Sequence, residues 1–175
     1  MKTVSLHLAK QNFKFSSAHF LIFDHQTAEM LHGHNYQVKV DIVCPSTDEV
    51  KEGSSNQLID KKGKVGYVID FNVLKKYIKS KLDLWDEHVL LPKLHPDMKF
   101  KDSTDQKNYE INFRDRFYSM PKNEVIWLNI SNTSVEQLSS LLAEDFYQEF
   151  RKYGIEKVTV FVEETRGQSA STSID

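Results

Sequence analysis

His32 and His34 stand one residue apart, separated by Gly33, at the head of the run HNYQVKVDIV. Residues i and i+2 of a strand point to one face, so both imidazoles can aim at a single point. They share parity with Tyr36, Val38, Val40 and Ile42, the side of the run that a sheet would bury. His19 has the parity of Phe13 and Phe15 in the preceding segment and also faces inward. Three imidazoles converging from adjacent strands make the donor set of a three-histidine zinc site, with a fourth position left for water or substrate. Neutral nitrogen ligands suit other transition metals as well, and a redox-silent site in a reducing compartment favours zinc. Taken singly, each is an ordinary histidine of a half-buried sheet; the in-phase trio is what argues for a metal. The remaining histidines His7, His25 and His95 have no spacing partner and read as surface or loop residues.

Acid and base candidates lie near this trio in sequence. Glu29 precedes His32 by three residues, and a carboxylate there would sit beside a metal-bound substrate and stay ionised under the cation's field. Without the trio it would read as a solvated loop residue. His88 has Asp86 and Glu87 as acidic neighbours, an arrangement found in catalytic triads and equally on helix surfaces. Glu164 shares parity with Val158, Val160 and Val162, whereas Glu163 faces the other way. A carboxylate on a buried face needs a partner. Either a ligand with two adjacent N–H donors or a nearby Lys or Arg would serve.

The elements that must position these groups follow from periodicity. Residues 4–20 read as a strand pair or one long bent strand, and residues 34–43 as the clearest strand. The stretch from Pro45 to Gly66 is rich in Ser, Asp, Lys and Gly and reads as a turn or exposed excursion. Asp70 caps a first helix with Phe71, Leu74, Tyr77, Ile78 and Leu82 at helical spacing. Residues 92–124 are polar and irregular and read as an insertion, and residues 125–130 as a short strand. Thr133 followed by Glu136 is a capping-box pattern opening a second helix through Tyr153, with Val135, Leu138, Leu142, Phe146 and Phe150 as its stripe. Gly154 ends it and residues 157–164 return as a strand. The order predicts an α+β fold, with helices on one face of an antiparallel sheet.

Length and composition bound the function. The 175 residues carry 39% hydrophobic and 27% charged side chains, as expected of one globular domain spanning 1–175. The 23 Lys+Arg against 25 Asp+Glu give a formal charge of −2, which offers no overall basic excess for nucleic acid or an anionic membrane. No apolar run approaches the ~20 residues that span a bilayer, and the first residues alternate rather than form a signal-peptide core. The single cysteine, Cys44, excludes an internal disulfide framework and fits a reducing, cytoplasmic location.

The strings FKFSSAHF, LHGHNYQV, VIDFNVLKKYI, SVEQL and VFVEET, in that order, resemble the 6-pyruvoyltetrahydropterin synthase family, which includes the bacterial carboxytetrahydropterin synthases. The resemblance covers nearly the whole chain apart from 45–64 and 92–124. It implies a tunnelling fold, in which a four-stranded antiparallel sheet and two helices assemble into trimers and then hexamers, with active sites at subunit interfaces. It also implies that His19, His32 and His34 are zinc ligands and that His88 is the histidine of a catalytic triad. The family has Asp directly before that histidine; here Glu87 holds that place and Asp86 lies one further back, so either could orient the ring. Glu164, followed by Thr165, matches the glutamate that anchors the pterin's amino-pyrimidine edge. Thr133 and Ser134 fall where the second helix begins and its backbone lines the pterin pocket.

One departure matters for chemistry. The usual members place a catalytic cysteine a few residues before HGH, where this chain has Ala28 and Glu29, and Cys44 lies too far along the next strand to substitute. The run Glu29-Met30-Leu31-His32-Gly33-His34 is similar to the ExxHGH subclass, known from malaria parasites among others, in which glutamate replaces the cysteine. That resemblance implies a zinc lyase converting 7,8-dihydroneopterin triphosphate to 6-hydroxymethyl-7,8-dihydropterin for folate synthesis. The alternatives are triphosphate elimination to the pyruvoyl product and a non-catalytic pterin- or metal-binding protein.

Overall fold

Period-two alternation carries the first part of the chain into strands. The computed structural model describes residues 2–45 and 67–175. Strands β1 (Thr3–Leu8) and β2 (Lys14–His19) are followed by the 14-residue β3 (His32–Pro45). β1 and β2 do not pair with each other. Both run antiparallel to β3, β1 opposite residues 40–45 and β2 opposite residues 32–37. The first twenty residues are therefore one long interrupted strand. The Val38 N–H donates to the Phe13 carbonyl at 2.7 Å and bridges the interruption.

The sheet is larger than the four antiparallel strands expected, and it is mixed. β4 (His88–Pro92) runs parallel to β2, and β8 (Val125–Leu128) runs parallel to β4. β9 (Lys157–Thr165) and β10 (Gln168–Ile174) continue antiparallel from the other side of β3, making seven strands. The sequence conceals these additions for physical reasons. The β4 run HVLLP is too short to show a period, and the edge strand β10 (QSASTSI) turns only Ala170, Thr172 and Ile174 toward the core, a face too weakly apolar to read. Parallel pairing also needs long crossovers that leave no local mark.

Both helices cover one face of this sheet. α1 (Phe71–Asp83) begins at Asp70, whose carboxylate accepts the Asn72 N–H at 2.8 Å. Leu74, Ile78 and Leu82 are buried, but Phe71 is exposed and leaves the expected stripe. α2 (Val135–Phe150) is capped one residue later than the Thr133/Glu136 pattern indicates. The cap is Ser134, whose hydroxyl accepts the Gln137 N–H, while the Gln137 side chain accepts from the Ser131 and Asn132 amides. Thr133 is drawn inward instead, and its buried hydroxyl donates to the Phe20 carbonyl at 3.0 Å. A 3-10 turn over Arg151–Tyr153 ends at Gly154 with φ 77°. Leu138, Leu142, Phe146 and Phe150 join the α1 residues on Tyr36, Val38, Val40, Ile42, Val158, Val160 and Val162 in one core. Full burial of each such side chain contributes roughly 1.5–3 kcal/mol.

Residues 92–124, read above as irregular, contain a second sheet. β5 (Met98–Asp102), β6 (Asn108–Phe113) and β7 (Arg116–Pro121) form an antiparallel meander, turned at Gln106 (φ 61°) and Arg114 (φ 55°). Ile111 and Phe113 alternate inward onto Phe20, Ile22, Leu91, Met98 and Val125, a separate apolar cluster. The meander's many exposed residues make its sequence look like loop. Of the excursion read over 45–66, only Pro45, the last residue of β3, lies within the described residues. Among those residues no helix is long and apolar enough to cross a membrane.

Candidate active site

The β2–β3 register sets His19 opposite His32 and Ser17 opposite His34. All three imidazoles stand on the inward face, with ring centroids 5.0 Å (His19–His32), 5.4 Å (His19–His34) and 4.7 Å (His32–His34) apart. One ring nitrogen from each lies within 4.8 Å of the others. The trio read from parity is thus assembled by two neighbouring strands.

Backbone carbonyls decide which nitrogen is available. His19 Nδ1 lies 3.1 Å from the Thr133 carbonyl, and His32 Nδ1 lies 2.7 Å from the Met30 carbonyl. A carbonyl can only accept, so each Nδ1 carries its proton and each Nε2 presents a lone pair, the outer bonding that ligating histidines show. The Nε2 atoms of His32 and His34 face each other at 2.8 Å. His19 is 1% exposed, and burial above all pulls its pKa below the ordinary value, against the opposing pull of Glu164. The neutral ring that results is the form that binds metal.

Glu164 completes this cluster. Its Oε1 lies 3.1 Å from His19 Nε2 and 3.9 Å from His34 Nε2, as the parity of β9 predicts. The same oxygen accepts from the Tyr36 hydroxyl at 3.0 Å. Burial first, and the Glu164 charge second, push the Tyr36 phenol far above its ordinary pKa, so it stays a donor. Nitrogens of three imidazoles, two of them fixed as lone pairs, therefore converge with a carboxylate around the Tyr36 hydroxyl. Such a concentration of electron pairs is costly without a cation, and its all-nitrogen core fits a divalent transition metal. Glu163 points away and accepts the Gly167 N–H at 2.8 Å.

Tyr36→Phe removes the hydroxyl that steadies Glu164. A hydrogen bond to a charged group contributes about 1.5 kcal/mol at the low end of its range, which suits a carboxylate one quarter exposed. Chemical denaturation should show a loss of that order. An unchanged midpoint would mean the bond adds no net stability.

Glu29 reaches the same cluster from the loop between β2 and β3. Its Oε2 accepts the Leu21 N–H at 3.0 Å and lies 3.7 Å from His32 Nε2, with the side chain one third exposed. Thr133 contributes through its carbonyl on His19. Ser134 caps α2, and Thr165 is exposed at the end of β9.

His88 opens β4 in register with Ser17 and lines an open cleft of about 350 Å³ with Ser16, Gly33, His34 and Glu87. Neither neighbouring carboxylate orients its ring. Nδ1 lies 2.6 Å from the Asp86 carbonyl, while the Asp86 carboxylate accepts the Ser16 N–H at 2.7 Å. Glu87 adopts φ 60° and donates its own N–H to the Ser16 carbonyl. The main chain thus holds His88 with Nε2 free.

Two residues escaped the reading from sequence. Tyr36 counted there only as core, although a buried hydroxyl in phase with the histidines signals a need for a partner. Arg116 donates to the carbonyls of Ala28 and Glu29 from 88 and 87 residues away, and nothing local marks it.

The profile of the family described as 6-pyruvoyl tetrahydropterin synthase matches residues 8–174. A protein of Methanocaldococcus jannaschii, provisionally named 6-carboxy-5,6,7,8-tetrahydropterin synthase, is 28% identical over 160 residues, covering 90% of this chain and 87% of that protein. The solved 6-pyruvoyl tetrahydropterin synthase of Plasmodium falciparum is 26% identical with a TM-score of 0.82 over 99% of both chains. That of Plasmodium vivax, solved as a catalytic-residue variant with glutamate replaced by alanine, is 23% identical with a TM-score of 0.83 over 100% of this chain and 99% of its own.

Proposed function

The chain belongs to the 6-pyruvoyl tetrahydropterin synthase family, and we propose that it cleaves the side chain of 7,8-dihydroneopterin triphosphate to give 6-hydroxymethyl-7,8-dihydropterin for folate synthesis. It is a lyase of the tetrahydropterin-synthase type acting on a pterin. The observation that carries the proposed cleavage is the Glu29 carboxylate, 3.7 Å from His32 Nε2. The Plasmodium vivax relative has a glutamate described as a catalytic residue, which supports giving Glu29 that role.

His19, His32 and His34 hold zinc in this reading. When bound, zinc supplies Lewis-acid polarisation of the substrate's side-chain hydroxyls. Glu164, steadied by Tyr36, holds the amino-pyrimidine edge of the pterin, and Thr133, Ser134 and Thr165 flank that pocket. Glu29 takes the proton of the C2′ hydroxyl as general base. The C2′ oxygen becomes an aldehyde as the C1′–C2′ bond breaks, and the bonding pair passes into the ring's C=N system. Protonation at C1′ then leaves the hydroxymethyl group and releases glycolaldehyde triphosphate. His88, its Nδ1 proton held by the Asp86 carbonyl, takes up a proton at Nε2, equivalent to the one Glu29 removes. As the imidazolium it passes that proton to C1′, and Asp86 and Glu87 fix the turn that presents it. In this reading, which the family resemblance supports, the sites lie between subunits of a hexamer built from two trimers, in the cytoplasm.

The pyruvoyl route needs a base placed at C1′, a task the family gives to a thiolate. Cys44 is buried, donates to the Val4 carbonyl and has its thiol pKa pushed up by burial, so it cannot serve. The test is to incubate zinc-loaded protein with 7,8-dihydroneopterin triphosphate and identify the pterins by chromatography and mass. Mainly 6-hydroxymethyl-7,8-dihydropterin is expected. A pyruvoyl product would refute the assignment of the cleavage, and unchanged substrate that stays bound would make the chain a binding protein.

A further inference from the structure

We propose that Arg116 of β7 is a positioning residue for Glu29, and that the β5–β7 sheet serves to brace the loop that carries this base. The inference rests on the reading of Glu29 given above. The loop is a narrow ribbon: the Glu29 N–H donates to the Leu21 carbonyl at 2.9 Å, Ile22 bridges Ala28, and the Asp24 carboxylate accepts the Gln26 and Thr27 amides at the tip. Its inner arm is tied to the start of α2, because the Asn132 side chain bonds both the N–H and the carbonyl of Ile22.

Among the described residues no strand pairs with the outer arm from beyond it. Its two carbonyls, Ala28 and Glu29, are both taken by the Arg116 guanidinium, through Nη2 at 3.1 Å and Nη1 respectively. A planar guanidinium can hold two carbonyls at once in a fixed fork, which an ammonium cannot. The fork is itself braced, lying 5.8 Å from the ring centroids of Phe20 and Phe113. Arg114, at the β6–β7 turn, donates to the Asp24 carbonyl at 2.5 Å while its Nε is held by Asp97 at 2.8 Å. The loop's Phe20 and Ile22 share an apolar cluster with Met98, Ile111 and Phe113 of the meander.

The clamp therefore acts on the backbone of Glu29 itself, one residue's length from the carboxylate that faces His32. A displacement of about 1 Å in a reacting group costs on the order of 10²-fold in rate. A displaced base also changes which proton is within reach, so Arg116 governs how the side chain is divided between bond cleavage and triphosphate elimination.

The test compares Arg116→Met, which keeps the stem packed and removes both donors, with Arg116→Lys, Glu29→Ala and the double variant Arg116→Met/Glu29→Ala. Melting curves and metal content are measured on each, and should the Met variant not fold, Arg116→Lys carries the comparison. Arg116→Met is expected to lower kcat by about 10- to 100-fold, to leave KM and metal content near those of the parent, and to raise the share of elimination product. Arg116→Lys should recover part of the rate. In the Glu29→Ala background, Arg116→Met should cost almost nothing further, because both changes remove the same function. An Arg116→Met enzyme with the parent's kcat and product ratio, or a loss that simply adds to that of Glu29→Ala, would overturn the proposal alone. A fully active Glu29→Ala would overturn the reading of Glu29 and this proposal with it.

Discussion

Replacing Glu29 with alanine lowers kcat by about 10²–10⁴-fold, the usual worth of a positioned general base. The carboxylate has one hydrogen bond, from the Leu21 N–H, and otherwise faces the imidazole cluster. Alanine leaves the loop's backbone bonds in place, including the Glu29 N–H to the Leu21 carbonyl and the Arg116 clamp. Metal content and melting temperature should stay near those of the parent, so the loss appears in turnover. Glu29→Gln is the sharper variant, because its amide oxygen can still accept from Leu21 while the base is gone. Steady-state kinetics on both should show similar falls in kcat with little change in KM. A Gln variant retaining a tenth or more of the parent kcat would remove Glu29 from the role of base.

His32→Ala abolishes metal retention and, with it, turnover. His32 supplies one of the three converging nitrogens, and its Nδ1 bond to the Met30 carbonyl pre-orients the ring. Two imidazoles and a shared carboxylate leave too few neutral donors for a tight site. Metal analysis after dialysis should find the parent loaded and the variant empty. Binding to the folded state alone stabilises by about 2.7 kcal/mol when free ligand is 100 times Kd. Added zinc should therefore raise the parent's melting temperature and leave that of His32→Ala unmoved. A variant that keeps both zinc and activity would show that the three-histidine cluster is not the metal centre.

Much of the site was legible because strand alternation is a local steric property. The parity of Phe13, Phe15 and His19, and of His32 through Ile42, sets the three imidazoles on inward faces, and β2 and β3 pair in the register that joins them. The same parity turned Glu164 inward and Glu163 outward. The two amphipathic helices were equally plain, since Leu74, Ile78 and Leu82, and Leu138, Leu142, Phe146 and Phe150, recur at the period of a helix and are all buried. Capping was less legible by one residue, because the Thr133 hydroxyl goes inward to Phe20 and leaves Ser134 to cap.

What the sequence determined by itself, then, is the inward face of each strand and helix and the residue types gathered on it, because the φ/ψ preferences that set those periods act between neighbours in the chain. Partner choice across the fold was decided only by tertiary structure. The Thr133 carbonyl on His19, the Asp86 carbonyl rather than a carboxylate on His88, the Tyr36 hydroxyl on Glu164 and the Arg116 fork on the Glu29 loop join residues through geometry set by packing. The parallel pairing of β4 and β8 and the meander over Met98–Pro121 belong to the same class. A backbone carbonyl is present at every residue and carries no sequence mark, so only the folded chain selects which of them meets a donor.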